Sequence, residues 1–180
     1  MYNLEEEAIR LVMKAFEGMK RQKEDINLAF HSLIVGNLLK NNGCSESIVL
    51  SGLLHDIIED TRYDYQYLVD HFGKEIADNV LDVSEDTSIN DWRERKEVFI
   101  KSFDNKSNDV IYVEMADKLH NLLSDYDVWL EKGNDGLATS RASYDDNKWF
   151  YLEMKKLFNN RLSNDKLLDR YNEICNIYFK

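Results

Sequence analysis

The stretch LLHDIIEDT, positions 53–61, sets His55, Asp56, Glu59 and Asp60 directly into an apolar run. Burying even one unpaired carboxylate is costly. Three within a turn and a half also repel one another. At about 4 Å and an effective dielectric of about 20, each like-charged pair costs on the order of 4 kcal/mol, less where solvated. No Lys or Arg stands four residues to either side to balance them. A divalent cation removes the repulsion, and imidazole beside carboxylate supplies mixed nitrogen and oxygen ligands. On a helix with 100° per step, Leu50, Leu53, Leu54, Ile57 and Ile58 fall on one arc. Gly52, His55, Asp56, Glu59 and Asp60 fall on the other, where Gly52 leaves the surface open. The competing explanation is the solvated face of an amphipathic helix.

Two further oddities fit a metal. In NLAFHSLIVGNLL, His31 lies among apolar positions, with Leu28 and Val35 on its own face. In VIYVEMADKLHNLL, Asp117 interrupts a strongly apolar helix, with Asn121 one turn later on the same side. Each has a plainer explanation: a satisfied core histidine, and a salt bridge from Asp117 to Lys118 or Arg141. One ion gathered from three helices explains all three features together.

The elements that must position these residues are helical. The 180 residues contain no proline and 43% hydrophobic residues, which fits one domain over 1–180 with a full-sized core. Apolar periodicity marks helices from Leu4 to near Gly18, from Leu28 to the NNG at 41–43, and from an N-cap at Ser45 through the motif. Others follow at YDYQYLVDHFG, at KEIADNVLDV, near 91–104 and near 109–131. KGNDG at 132–136 reads as a loop, and 145–180 as two closing helices. Strand alternation is nowhere convincing, so the expected fold is all-α, an irregular bundle of about eight helices.

The net charge of −11 argues against non-specific nucleic-acid binding and repels anions at long range. An anionic substrate therefore needs a cation or a local basic patch. No run approaches the roughly 18–20 apolar residues of a membrane span, and the acidic start MYNLEEEAIR is unlike a signal peptide. A cytoplasmic protein is expected. Cys44 and Cys175 have neither metal spacing nor a disulfide framework. The sequence leaves oligomeric state open.

A lone His, His-Asp two dozen residues on, then a distant Asp resembles the HD superfamily of metal-dependent phosphohydrolases. LLHDIIEDT, YLVDHFGKEIADNVLDVSE and MADKLHNL are similar to the hydrolase domain of RelA/SpoT-type alarmone enzymes and their small stand-alone relatives. The motif-bearing core is about 17–125. The resemblance implies that His31, His55, Asp56 and Asp117 hold one divalent ion, manganese in that family. It implies Glu59 and Asp60 as the acid/base pair on the attacking water, and Asn121 as a nucleotide contact. The implied reaction removes pyrophosphate from the 3′ position of guanosine tetra- or pentaphosphate. The long enzymes' synthetase half is not expected in 180 residues.

Departures fall on substrate recognition. Where the family reads Pro-Tyr-Ile-x-His-Pro, this chain has NLAFHSL. In place of Gly-Gln-x-Arg-Lys it has EGMKRQKED, offering Lys20, Arg21 and Lys23 as substrate contacts. Leu123 stands where the family often has arginine. His71, beside a turn, and His120, about 100° round the helix from Asn121, are set aside as ligands. Trp149, Phe150 and Tyr151 read as core. The alternatives are an HD hydrolase of another nucleotide or nucleoside phosphate, and a non-catalytic metal-stabilised binding module.

Overall fold

The structure, a computed structural model, describes residues 2–21, 24–133 and 142–180. Among them all regular structure is helical, apart from one antiparallel bridge between Lys20 and Asn27. The helices are α1 (Leu4–Ala15), α2 (Ala29–Asn41), α3 (Glu46–Leu54), α4 (Ile57–Asp60) and α5 (Tyr65–Phe72). After them come α6 (Lys74–Val83), α7 (Trp92–Ser102), a 3-10 turn at Phe103–Asn105, α8 (Asn108–Lys132), α9 (Tyr144–Arg161) and α10 (Lys166–Tyr178). None is long and apolar enough to cross a membrane.

Local chemistry sets most of these boundaries. A side-chain oxygen caps the first turn of each of seven helices, satisfying N–H groups that the helix leaves unpaired. Ser45 is among the caps, as the sequence predicts, accepting from the Ile48 N–H at 3.4 Å. Ser143 and Asp146 form a reciprocal capping box that starts α9. The start of α2 lacks a side-chain cap of that kind. Asn27 fixes it instead: its Oδ1 accepts from the Ala29 N–H at 2.8 Å, and its Nδ2 donates to the Phe16 carbonyl at 3.2 Å. That anchor sets the helical turn that carries His31. Gly73 joins α5 to α6 at φ 91°, which side chains rarely tolerate.

The apolar face of α8 is the centre of the core. Val110, Ile111, Val113, Met115, Ala116, Leu119 and Leu122 are buried there, and the helix packs against α2, α3, α6, α9 and α10. Each fully buried aliphatic side chain stabilises the fold by about 1.5–3 kcal/mol. Such a helix can therefore carry the cost of a buried Asp117.

Two sequence expectations need correction. The helix expected across the whole motif breaks at His55 and Asp56, so α3 and α4 are separate. Asp56 sits at φ −90°, ψ −1°, a sparsely used conformation frequent at active sites. Gly52 is not an opening on the surface; it is buried where α2 crosses α3. A Cβ there would stand 2.3 Å from Leu39 Cδ1, and one at Gly36 would stand 2.5 Å from Leu53 Cδ2. The two glycines let the helices carrying His31 and His55 approach closely.

Candidate active site

His31 comes from the first turn of α2, His55 and Asp56 from the break after α3, and Asp117 from the middle of α8. The fold brings them to one point. His31 Nε2 lies 3.0 Å from His55 Nε2 and 2.9 Å from Asp117 Oδ1. Asp56 Oδ2 lies 3.1 Å from His55 Nε2 and 3.7 Å from His31 Nε2. His55 Nε2 and Asp117 Oδ1 are 3.7 Å apart. Neighbouring donors around an ion with bonds of about 2.0–2.1 Å are separated by about 3 Å, so the spacing fits a small divalent cation. His31 and His55 are 3% and 4% exposed, which overturns the solvated-face reading for His55.

The electrostatics also fit. Burial opposes charge on His55, yet Asp56 and Asp117 outweigh it and hold the imidazole pKa well above its ordinary value. Burial likewise works against the Asp117 carboxylate, but Lys118, His31 and His55 hold its pKa well below the usual range. Two carboxylates here demand positive charge: a proton on His55 answers that in the metal-free chain, and a divalent ion answers it better. His55 Nδ1 donates to the Gly52 carbonyl at 2.8 Å, since that oxygen can only accept. With its proton there, the neutral ring offers Nε2 as a lone pair.

Asp117 answers both sequence explanations at once. Its Oδ2 takes Lys118 Nζ at 2.6 Å, while its Oδ1 faces the histidines and accepts from Asn121 Nδ2 at 2.6 Å. Asn121 Oδ1 in turn accepts from Arg21 at 3.2 Å. Of the three basic residues offered by EGMKRQKED, Arg21 reaches the site. Lys20 pairs with Asp25 in solvent and is not brought there, and Lys23 lies outside the described residues, as does Arg141.

Glu59 and Asp60 occupy different surroundings. Glu59 lines the cleft of about 160 Å³ that holds the donors, and its Oε2 accepts from the Glu85 N–H at 3.1 Å. Burial raises its pKa, with the Glu85 and Asp56 charges adding to the effect. Asp60 does not line that cleft; it lies on a separate one with Lys14, Glu17 and Arg62 that shares no residue with it. Burial and the Asp56 charge push its pKa up to about 6.

A second cavity of about 310 Å³ shares Arg21, Leu28, Lys118 and Asn121 with the donor cleft and extends it to Trp92, Lys96, Asn147 and Phe150. Sequence reasoning passed over Lys96, Arg95 and Glu85. Glu85 holds Arg95 at 3.1 Å and pairs with Lys96, so both cations are fixed beside the site. The signal was the basic cluster WRERK at 92–96, which an exposed helix would equally carry. Phe150 and Tyr151 are core residues as expected, though they also line this cavity. His71 stacks on Tyr67 in solvent, away from the site. His120 lies against His31 rather than among the donors, with its Nδ1 2.6 Å from His31 Nδ1.

A helical scaffold that brings the donor atoms of His31, His55 and Asp117 within 4.8 Å of one another, with Asp56 beside the two histidines, is the kind of site HD metalloproteins carry. The chain belongs to the HD domain family, whose model matches residues 8–131, and that family implies a bound divalent metal. The Drosophila melanogaster guanosine-3′,5′-bis(diphosphate) 3′-pyrophosphohydrolase MESH1 is 26% identical over 148 residues, covering 73% of this chain and 79% of its own. A probable enzyme of the same name from Synechocystis is 30% identical over 62% of this chain. The probable chloroplastic GTP diphosphokinase RSH2 of Arabidopsis thaliana is 28% identical over 63% of it. The chain spans only 16% and 17% of those two longer relatives. Among solved structures, a metazoan orthologue of SpoT that hydrolyses ppGpp superimposes with a TM-score of 0.78 at 21% identity, covering 98% of this chain and 96% of its own. A Listeria monocytogenes protein gives 0.72 at 30% identity, covering 83% and 94%.

Proposed function

We propose that this protein is a manganese-dependent phosphohydrolase that removes pyrophosphate from the 3′ position of guanosine 3′,5′-bis(diphosphate), acting as one domain. The observation that carries the reading is the meeting of His31, His55, Asp56 and Asp117 beside a cavity walled by Arg21, Lys96 and Lys118. The name of the MESH1 relative, which matches over most of both chains, supports the substrate.

His31, His55, Asp56 and Asp117 would hold the ion. When bound, a divalent metal lowers the pKa of a water and polarises a phosphoryl oxygen. Glu59 is tied through Oε2 to the Glu85 backbone, which leaves Oε1 to take a proton from the attacking water. Asp60, with its pKa near 6, exchanges a proton at neutral pH more readily than an ordinary aspartate. Arg21, Lys96 and Lys118 supply positive charge for the phosphates. Asn121 orients Arg21 through its oxygen and Asp117 through its amide. Water adds to the phosphorus at the 3′ oxygen and gives a proton to Glu59; that O–P bond breaks, the proton is returned to the 3′ oxygen as the hydroxyl of GDP, and pyrophosphate leaves with the water oxygen.

A second reading keeps the metal-dependent phosphohydrolase class and changes the substrate to another nucleotide or nucleoside phosphate; Leu123, where alarmone hydrolases often carry arginine, favours it. The test is a release assay on EDTA-stripped chain with and without manganese, across guanosine tetraphosphate, GTP and nucleoside monophosphates. Manganese-dependent formation of GDP and pyrophosphate is expected. Intact guanosine tetraphosphate alongside a cleaved monophosphate would leave only the second reading.

A further inference from the structure

His31 turns Nε2 toward the donor cluster, so in the metal-bound state that nitrogen carries the lone pair. A neutral imidazole has one N–H, which must then sit on Nδ1. The partner facing Nδ1 is the Nδ1 of His120 at 2.6 Å. Two nitrogens at that distance share one proton, so His120 Nδ1 must accept and its own N–H must sit on Nε2. The rings lie 4.9 Å apart and 23° from parallel, and Phe30 meets His120 edge-on with ring centroids 6.0 Å apart. His120 stands three residues after Asp117 on α8, so one helix carries both a donor and the partner of another donor. His55 uses the ordinary solution for the same need, a backbone carbonyl.

We propose that His120 is a positioning residue for the metal centre: its Nδ1 accepts the His31 Nδ1–H and fixes His31 in the tautomer and ring orientation that present Nε2 to the ion. The outer partner of a metal-bound histidine is usually a carboxylate, carbonyl or water. A second imidazole does this work only in one tautomer, so two rings are set by one hydrogen bond. This inference rests on the metal-site reading above.

The test is manganese affinity of the full chain, from the paramagnetic resonance of free Mn²⁺, for wild type, Asp117→Ala, His120→Leu and His120→Asn. The Asn Oδ1 takes the place of the histidine Nδ1 as acceptor, whereas leucine offers none. His120→Leu is expected to weaken binding about 10–100-fold, the usual effect of losing such a partner, and His120→Asn to stay within a few-fold of wild type. Equal affinities in both variants, whether kept or lost, overturn the role of the acceptor. Should Asp117→Ala bind as wild type does, the metal-site reading itself fails, which is a different result. Histidine ¹⁵N NMR of the zinc-loaded wild type provides a measurement that needs no variant. Protons on His31 Nδ1 and His120 Nε2 are expected, and a proton on His120 Nδ1 refutes the proposal.

Discussion

Replacing Gly36 by alanine tests whether the crossing of α2 and α3 gauges the metal centre. The new Cβ would meet Leu53 Cδ2 at 2.5 Å and Cγ at 2.6 Å, where carbon atoms ordinarily stop at about 3.5–4.0 Å. Turning the Leu53 methyls does not relieve the clash with Cγ, and Leu53 is 3% exposed with nowhere to go. The helices must part. Overpacking of this kind costs about 1–3 kcal/mol, and alanine regains about 1 kcal/mol over glycine in a helix. The net loss is up to about 2 kcal/mol, which lowers the melting temperature by up to roughly 8 °C for a chain of this size. Because Leu53 lies two residues before His55 and Gly36 five after His31, parting the helices widens the 3.0 Å gap between the two Nε2 atoms. The rise in melting temperature on adding manganese should therefore shrink as well. Thermal unfolding in EDTA and in saturating manganese measures both effects, with exposed Asn37→Ala on the same helix as control. If Gly36→Ala melts at or above wild type and gains as much from metal, the crossing does not set the site.

Three other outcomes follow from the site. Glu59→Gln and Asp60→Asn should each keep manganese binding while losing turnover by about 10²-fold or more; unchanged turnover in both would remove them as the water-activating pair. Lys96→Ala should raise KM for a polyphosphorylated nucleotide while leaving manganese affinity unchanged, read from steady-state kinetics and metal titration; an unmoved KM would place the phosphates elsewhere. Burial raises the pKa of Glu114 to about 7, with Lys118 opposing and Asp117 and Glu85 adding to the rise. The folded chain then binds that proton more tightly than the unfolded one. Stability in EDTA should be fullest below the ordinary carboxylate value and fall as pH rises toward 7, by about 3 kcal/mol at most. Glu114→Gln should flatten that dependence in denaturant titrations at several pH values, and an equally steep profile in the variant would assign it to other groups.

What the sequence disclosed was the conflict between residue type and surroundings. His31 and Asp117 stood out because each interrupts an apolar helix, and their meeting follows from that tension. Ser45 was legible because capping is local. The break at His55 and Asp56 was not: the apolar spacing of LLHDII continues straight through it, and only packing against α2 and α8 decides where the turn falls. Gly52 carried a small-residue signal that reads alike at an open surface and at a close crossing. Lys20 and Arg21 are neighbours, and the choice between them depends on a bridge from Lys20 to Asn27 that no local pattern specifies. His120 sits about 100° from Asn121 on an ideal helix, a position that conceals its contact with His31.

The charge balance also reads differently once the chain is folded. A net −11 would repel a polyanion from a uniform surface. Here Arg95, Lys96 and Lys118 are only 16%, 13% and 12% exposed, and buried acids hold them: Glu85 under the first two, Asp117 and Glu114 under the third. Those acids add to the negative total yet pair with cations, of which Lys96 and Lys118 line the cavity and Arg95 lies on a cleft with Glu59 and Glu85. Burial also costs a lysine its charge unless an acid compensates, and Lys118 keeps a pKa well above the ordinary value because burial is outweighed by Asp117, Glu114 and Glu85. The acidic composition is thus in part what keeps the cavity wall positive. Neutralising Glu85 would weaken the cationic wall even as it made the whole protein less negative, which is the opposite of what net charge alone predicts for binding a polyphosphate.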